Sequence, residues 1–168
     1  VNDQTPAVSV ASTYSHAEAT ATTFQTYTIT DSDTTGTYTC TLAGDDAADF
    51  TASISAKVCT VVWAAAPNYE SPTDDDTDNV YDITIAFSDG TNTLSAQTTA
   101  VTVTDTNDQT PAVSVASTYS HAEATATTFQ TYTITDSDTT GTYTCTLAGD
   151  DAADFSASIS GKVCTVVW

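Results

Sequence analysis

Apolar and polar side chains alternate along several short stretches of this 168-residue chain. In the clearest of them, Tyr81, Ile83, Ile85 and Phe87 are separated by single polar or small residues. Because successive side chains of a β-strand point to opposite faces, this alternation predicts strands with one buried face. Residues that favour turns, mainly Asp, Gly, Asn and Ser, separate the stretches. We therefore predict seven strands in the first 105 residues, near positions 7–11, 23–30, 36–42, 50–54, 57–63, 80–88 and 95–104.

An internal repeat fixes the organisation of the chain. Residues 1–63 and 106–168 are identical except at three pairs of positions, which are Val1 and Thr106, Thr51 and Ser156, and Ala56 and Gly161. The period of 105 residues suits a self-contained β-sandwich of about 100 residues. The predicted fold class is therefore all-β, as tandem Greek-key, immunoglobulin-like sandwiches of seven strands. One repeat occupies residues 1–105 and a partial second repeat occupies residues 106–168.

The second repeat contains no counterpart of residues 64–105, so it lacks the last two predicted strands. A sandwich without them exposes apolar side chains and leaves an open sheet edge. Two explanations remain open: the 168 residues are a stretch of a longer array, or a neighbouring copy donates the missing strands. Both make other copies of the same repeat the expected partners.

The charge of the chain excludes several classes of function. It has 22 acidic and two basic residues, for a formal net charge of −20, and cannot neutralise the phosphates of a nucleic acid. It also lacks an apolar run of the roughly 20 residues that a membrane-spanning helix needs. His16 and His121 have no nucleophile at the spacing of a catalytic triad, and there is no Gly-rich phosphate loop. We therefore expect no catalysis, no nucleic-acid partner and no membrane insertion in this segment.

Each repeat contains one pair of cysteines separated by nineteen positions. Four cysteines allow three pairings, and a unit that duplicated as a whole favours one disulfide inside each repeat. The alternative is buried free thiols. Disulfides indicate an oxidising compartment, so we expect an extracellular or cell-surface location. The expected pairs are Cys40–Cys59 and Cys145–Cys164.

A cluster of acids and amides lies where one repeat passes into the next. The segment from Asp105 to Pro111 reads Asp-Thr-Asn-Asp-Gln-Thr-Pro. Ca²⁺ binds six to eight oxygen atoms from carboxylates, amide side chains and backbone carbonyls. This segment can supply such ligands where the chain crosses between repeats, and the alternative is a group of solvated turn residues.

At these positions the chain resembles the cadherin repeat in its bacterial cadherin-like form. The junction matches the DxNDxxP linker of that family. Four further elements occur in the family's order: Glu18 ahead of the second strand, Asp31-Ser32-Asp33 after it, Asn68-Tyr69-Glu70, and Ser88-Asp89-Gly90 in the last hairpin.

The resemblance implies which residues bind Ca²⁺. The full junction site would comprise Glu18, Glu70, Asp105, Asn107, Asp108, the Gln109 carbonyl, Asp136 and Asp138. The ends of the chain would carry half-sites that await neighbouring repeats, formed by Asn2, Asp3, Asp31, Asp33, Asp89 and Glu123.

A second acidic run precedes the strand that begins at Val80. Carboxylates alternate at Asp74, Asp76 and Asp78, a spacing that can form a loop cation site. The other interpretation is a solvated loop whose charge keeps arrays soluble by mutual repulsion.

Together these patterns predict a non-catalytic structural and adhesive repeat of a secreted or cell-surface bacterial adhesin or biofilm-matrix filament. Ca²⁺ would stiffen its junctions, and its partners would be other copies of the repeat, with surface glycans or other cells as further candidates. The alternative is a module that recognises carbohydrate, or another copy of itself, through Ca²⁺.

Overall fold

A computed structural model describes residues 1–20, 23–123 and 127–168. The chain divides into two compact units, 1–106 and 107–168, and each is treated by itself. Within the described residues, helix is limited to two short 3₁₀ turns over Ala47–Asp49 and Ala152–Asp154, and no helix there is long and apolar enough to cross a membrane. The protein is all-β.

The first unit is a sandwich of two sheets. Its seven strands are β1 (Thr13–Ala17), β2 (Thr23–Thr28), β3 (Thr39–Ala43), β4 (Phe50–Ser55), β5 (Val58–Trp63), β6 (Val80–Ser88) and β7 (Gln97–Thr104). One sheet has the strand order β1-β7-β6-β3, and the other has the order β2-β5-β4. All neighbouring strands are antiparallel except β1 and β7, which run parallel.

The core fills the space between these sheets. The alternating residues of β6, from Tyr81 to Phe87, are all no more than 1% exposed. They face the apolar side of β5, where Val61 is fully buried and Trp63 is 3% exposed. The period-two pattern in the sequence therefore marks the two inner faces of the sandwich.

The prediction for the first strand is wrong. Residues 7–11 form only an isolated bridge, in which Ala7 and Thr30 exchange backbone hydrogen bonds of 2.8 Å. Val8 and Val10 pack against the core. The alternation of apolar and polar residues in this segment therefore comes from burial of these side chains and not from pairing in a β-sheet. The strand β1 instead lies at Thr13–Ala17 and pairs with β7 in the opposite sheet. The other six predicted strands are confirmed, with their ends displaced by at most three residues.

The second unit contains a single sheet with the order β10-β11-β9-β8. Three of its strands correspond to β2, β4 and β5 of the first unit, with ends that differ by at most two residues. Residues 118–122 and 144–148 match β1 and β3 but form no strand, because β1 and β3 pair with β7 and β6, which have no counterparts among residues 107–168. The strands are β8 (Ala112–Val113), β9 (Thr128–Thr135), β10 (Ser156–Ser160) and β11 (Val163–Val167).

The two disulfide pairs predicted from the duplication are confirmed. Cys40 on β3 is joined to Cys59 on β5, so this bridge links the two sheets of the first unit. Cys145 is joined to Cys164 on β11. In both disulfides the Cα atoms are 6.0 Å apart. All four cysteines are paired.

Several apolar side chains of the second unit are more exposed than their counterparts in the first unit. Trp63 is 3% exposed, whereas its counterpart Trp168 is 53% exposed. Tyr119 and Leu147 are 40% and 37% exposed. The same sequence is thus buried in one unit and left open to solvent in the other.

Extending the chain after Trp168 with a copy of residues 64–105 is expected to complete the second sandwich. The new strands would cover the apolar face, so the emission of Trp168 should shift to shorter wavelength and the amides of 118–122 and 144–148 should become protected from exchange. A matched extension with serine at the positions of Ile83, Ile85 and Phe87 should give neither change. Unaltered Trp168 emission in the apolar extension would contradict the prediction.

Candidate cation sites

Three carboxylates from distant parts of the sequence meet at one edge of the first unit. One oxygen from each of Glu18, Glu70 and Asp105 lies within 4.8 Å of the other two. Glu18 and Asp105 directly follow β1 and β7, and because these strands run parallel their ends reach the same edge. Glu70 comes from the connection between β5 and β6. The fold therefore brings together three of the residues predicted for the junction.

Glu18 is the organising residue of this cluster. It is 1% exposed, and its Oε2 accepts a hydrogen bond from the backbone N–H of Tyr69 (2.6 Å) while its Oε1 accepts one from Thr106 (2.7 Å). One buried side chain thus holds both the segment that carries Glu70 and the segment that follows Asp105.

A second cluster lies in the loops at Asp31–Asp33 and Asp89. One oxygen from each of Asp31, Asp33 and Asp89 again lies within 4.8 Å of the others. Asp33 Oδ2 accepts hydrogen bonds from the backbone N–H groups of Asp3 (2.9 Å) and Gln4 (2.8 Å). The start of the chain is therefore fastened to this loop by backbone hydrogen bonds.

The other two residues predicted for this N-terminal half-site have different positions. Nδ2 of Asn2 donates to the carbonyl oxygen of Asp89 (3.2 Å). The carboxylate of Asp3 is exposed, accepts a hydrogen bond from Nε2 of Gln4 (3.3 Å), and is outside the group of three. Only the three loop carboxylates are thus gathered within 4.8 Å of one another.

Asp89 is held in its ionised form. Burial alone raises the pKa of a carboxyl group, but the backbone N–H groups of Asn92 (2.6 Å) and Thr91 (2.8 Å) both donate to Asp89 Oδ1. These bonds, with the side chains of Asn92 and Asn2, hold the pKa of Asp89 below its ordinary value. A deprotonated oxygen donor at this position suits a hard cation.

The second unit repeats part of this arrangement. Asp138 is fully buried, and its Oδ2 accepts a hydrogen bond from the backbone N–H of Gln109 (2.9 Å), just as Asp33 does from Gln4. Asp136 Oδ1 accepts one from Asp138 (3.1 Å). Asp138 Oδ1 is buried and accepts no hydrogen bond from any of the described residues.

The remaining predicted ligands of the second unit lie at its surface. Asn107, Asp108 and Glu123 are exposed. A Cβ atom at Gly141 would lie 3.3 Å from Oδ1 of Asn107. The neighbours of Glu123 at 124–126 lie outside the described residues. Of the three exposed residues, Asp108 places a carboxylate oxygen within 4.8 Å of one from the buried Asp138.

Sequence reasoning missed the role of the two lysines, Lys57 and Lys162, which are the only basic residues of the chain. Lys57 Nζ donates to the carbonyl oxygens of Asp31 (2.8 Å) and Asp33 (3.3 Å). Lys162 Nζ makes the same bonds to Asp136 (2.7 Å) and Asp138 (3.0 Å). Their occurrence at equivalent repeat positions was the available signal. Both lysines are thus engaged at the Asp-Ser-Asp loops.

A third group of carboxylates lies in the loop before β6. One oxygen from each of Asp74, Asp76 and Asp78 lies within 4.8 Å of the others, with Asp74 buried and the other two exposed. The charge of Asp78, followed by desolvation and the charge of Asp74, raises the pKa of Asp76 above its ordinary value. The sequence-predicted trio is therefore close enough to share an ion.

No family model matches the chain, and no curated protein matches it. Solved structures do match: protocadherin gammaB7 EC3–6 has a TM-score of 0.66 at 20% identity, and the match covers 98% of this chain and 39% of that one. Human protocadherin-24 EC1–2 has a TM-score of 0.65 at 16% identity, covering 96% of this chain and 76% of that one.

Mouse cadherin-23 EC22–24 has a TM-score of 0.67 at 18% identity, and the match covers 99% of this chain and 55% of that one. The chain spans about two fifths of the length of the protocadherin gammaB7 structures. At these identities the likeness is one of fold. The chain has a cadherin-like β-sandwich fold.

Proposed function

We propose that this chain is a structural and adhesive repeat of an extracellular filament or cell-surface adhesin, of the bacterial cadherin-like kind, in which Ca²⁺ stiffens the junctions between repeats. The cadherin-like fold supports a tandem structural module. The observation that carries the proposal is the convergence of Glu18, Glu70 and Asp105 at the edge of the first unit from which the chain continues. A non-catalytic role agrees with this arrangement.

The negative charge at the edge that carries Glu18, Glu70 and Asp105 favours the binding of a cation. Three carboxylates within 4.8 Å of one another repel strongly. Neither lysine is available to neutralise them, since Lys57 and Lys162 donate to the Asp-Ser-Asp loops. A divalent ion from solution supplies the missing charge, and carboxylate oxygens are the donors that Ca²⁺ prefers.

The following segment supplies the rest of the donor set. Asp105 and Asp108 are three positions apart, and Glu18 fixes the N–H of Thr106 between them. Asp138 fixes the N–H of Gln109. The segment is thus anchored at both ends by buried carboxylates. We propose as ligands Glu18, Glu70, Asp105, Asn107, Asp108, the Gln109 carbonyl, Asp136 and Asp138.

The proposed ions set the mechanics of the array. Without them the carboxylates repel and the linking residues turn freely, whereas an ion bound by residues of both repeats removes that freedom. The disulfide in each repeat supports assignment to an oxidising, extracellular compartment. The partners are then other copies of the repeat.

The proposal is tested by thermal unfolding in millimolar Ca²⁺ and in excess chelator. Binding to the native state raises stability by RT ln(1 + [L]/Kd), which is about 2.7 kcal/mol at a hundredfold excess over Kd. Asp108→Ala should abolish much of that gain. Asp150→Ala removes the same charge from an exposed turn of the second unit. This variant should keep the gain in stability that Ca²⁺ gives the parent.

Rotational diffusion separates stiffening from simple binding. ¹⁵N relaxation should give the two units one shared correlation time in Ca²⁺ and separate, shorter ones in chelator. Equal midpoints with and without Ca²⁺, or relaxation that is indifferent to Ca²⁺, would count against the proposal.

A further inference from the structure

We propose that the loop of residues 74–78 is a separate Ca²⁺ site, independent of the junction. Its three alternate carboxylates, from Asp74, Asp76 and Asp78, each place one oxygen within 4.8 Å of the other two. A cluster of exposed acids alone would indicate only a solvated loop. What distinguishes this loop is that its first carboxylate is buried.

Asp74 is 3% exposed. Its Oδ2 accepts a hydrogen bond from the backbone N–H of Asp78 (2.7 Å), whereas its Oδ1 is buried and has no hydrogen-bond partner among the described residues. Burying an oxygen of an ionised carboxylate without a partner is strongly unfavourable. A cation bound at Oδ1 removes that penalty.

Neither lysine of the chain serves this loop. The chain has no arginine, and the Nζ atoms of both lysines donate to carbonyl oxygens of Asp31, Asp33, Asp136 and Asp138. A cation from solution can supply the compensating charge. An all-oxygen donor set selects a hard ion such as Ca²⁺.

The backbone around the loop is fixed before any ion binds. Asp46, which is 4% exposed, accepts hydrogen bonds from the backbone N–H groups of Asp75 (2.7 Å) at Oδ1 and Asp82 (2.6 Å) at Oδ2. Asp78 Oδ1 accepts one from Val80 (2.8 Å). These bonds tie the loop to the start of β6, so the donors are preorganised.

Asp76 and Asp78 are exposed, so the ion faces solvent on one side. Three carboxylates provide only part of the six to eight oxygens that Ca²⁺ binds, and water completes the shell. Nδ2 of Asn79, the residue after Asp78, donates to the carbonyl oxygen of Tyr69 (3.0 Å) and further fixes the backbone at the end of the loop.

The test is a Ca²⁺ titration of the 168-residue chain followed by ¹⁵N–¹H spectra. The amides of Asp75, Thr77 and Asp78 should shift with one saturable curve. Asp76→Asn should weaken the affinity read at these amides at least tenfold and leave the shift of Thr106, at the junction, unchanged. Because Asp76 is exposed, the variant should keep the dispersed core signals of the parent.

Asp75→Asn is the matched control. It removes the same charge one position away, from an exposed side chain outside the group of three, and should leave the loop affinity within about twofold of the parent. Equal weakening by both variants, or equal shifts in NaCl of matched ionic strength, would overturn the proposal in favour of diffuse counterion attraction. Loop amides that do not move in millimolar Ca²⁺ would overturn it as well.

The two proposals fail separately in this experiment. If Thr106 and Gln109 shift and the loop does not, the junction stands and the loop site is wrong. If the loop shifts and the junction amides do not, the loop site stands and the Ca²⁺-stiffened junction is wrong.

Discussion

Replacing Trp63 by alanine is expected to lower the free energy of unfolding of the first unit by about 3–5 kcal/mol, the range for truncating a large buried aromatic residue. The Trp63 ring is 3% exposed and lies 4.2 Å from the Phe50 ring and 4.9 Å from the Tyr81 ring, measured between centroids. These contacts join β5, β4 and β6, so the cavity would open between the two sheets.

Trp168→Ala is the matched variant within the same chain. Trp168 keeps the contact with Phe155, at 4.3 Å, but it is 53% exposed and the chain contains no counterpart of Tyr81 for it. With about half of the ring already in water, its removal should lower the stability of the second unit by roughly 1 kcal/mol.

Native-state hydrogen exchange measures both effects, because buried strand amides report the stability of their own unit. The amides of Val61 and Ile83 report the first unit, and those of Cys164 and Val166 report the second. Equal losses for the two variants would contradict the difference in burial, and a loss below 1 kcal/mol for Trp63→Ala would show that the core repacks around the gap.

Most of the fold could be predicted from the sequence because one face of the central strands β5, β6 and β7 is buried. The alternation in β6 and the apolar face of β5 identify their strands without knowledge of the partners. The first strand was misplaced because Val8 and Val10 alternate and pack on the core without a ladder. The true β1 has Tyr14 and His16 only partly buried, and its parallel partner β7 is more than eighty residues away.

The carboxylate clusters were predictable in membership but not in geometry. Each carboxylate cluster described above consists of residues that the sequence had singled out. Burial was not predictable, since nothing in the local sequence distinguishes Asp74, which is 3% exposed, from the exposed Asp75.

The structural role of Asp46 also escaped sequence analysis. Its carboxylate accepts hydrogen bonds from the backbone N–H groups of Asp75 and Asp82, which are 29 and 36 positions away in the sequence. The contacts of Lys57 with the carbonyls of Asp31 and Asp33 likewise depend on tertiary folding. The sequence thus identifies which side chains can bind a cation, whereas the tertiary fold determines which of them are buried.

Replacing both Cys40 and Cys59 by alanine is expected to lower the free energy of unfolding of the first unit by about 3 kcal/mol. The two residues are 19 positions apart, and opening a loop of about 20 residues releases that much chain entropy in the unfolded state. The native structure should persist, because β3 remains paired with β6, where Cys40 lies opposite Phe87. Denaturant unfolding in oxidising buffer, with the parent in reductant as a second comparison, measures the loss.

The equivalent double variant, Cys145→Ala with Cys164→Ala, should have a different structural result. Its loop has the same length, so the entropic effect is again about 3 kcal/mol. Residues 144–148, however, form no strand, and the bridge is the covalent tie that holds them to β11. Their amide and Leu147 methyl signals should therefore collapse to random-coil positions, while those of residues 39–43 in the first variant stay dispersed. Dispersed signals at 144–148 without the bridge would show that packing alone orders this segment.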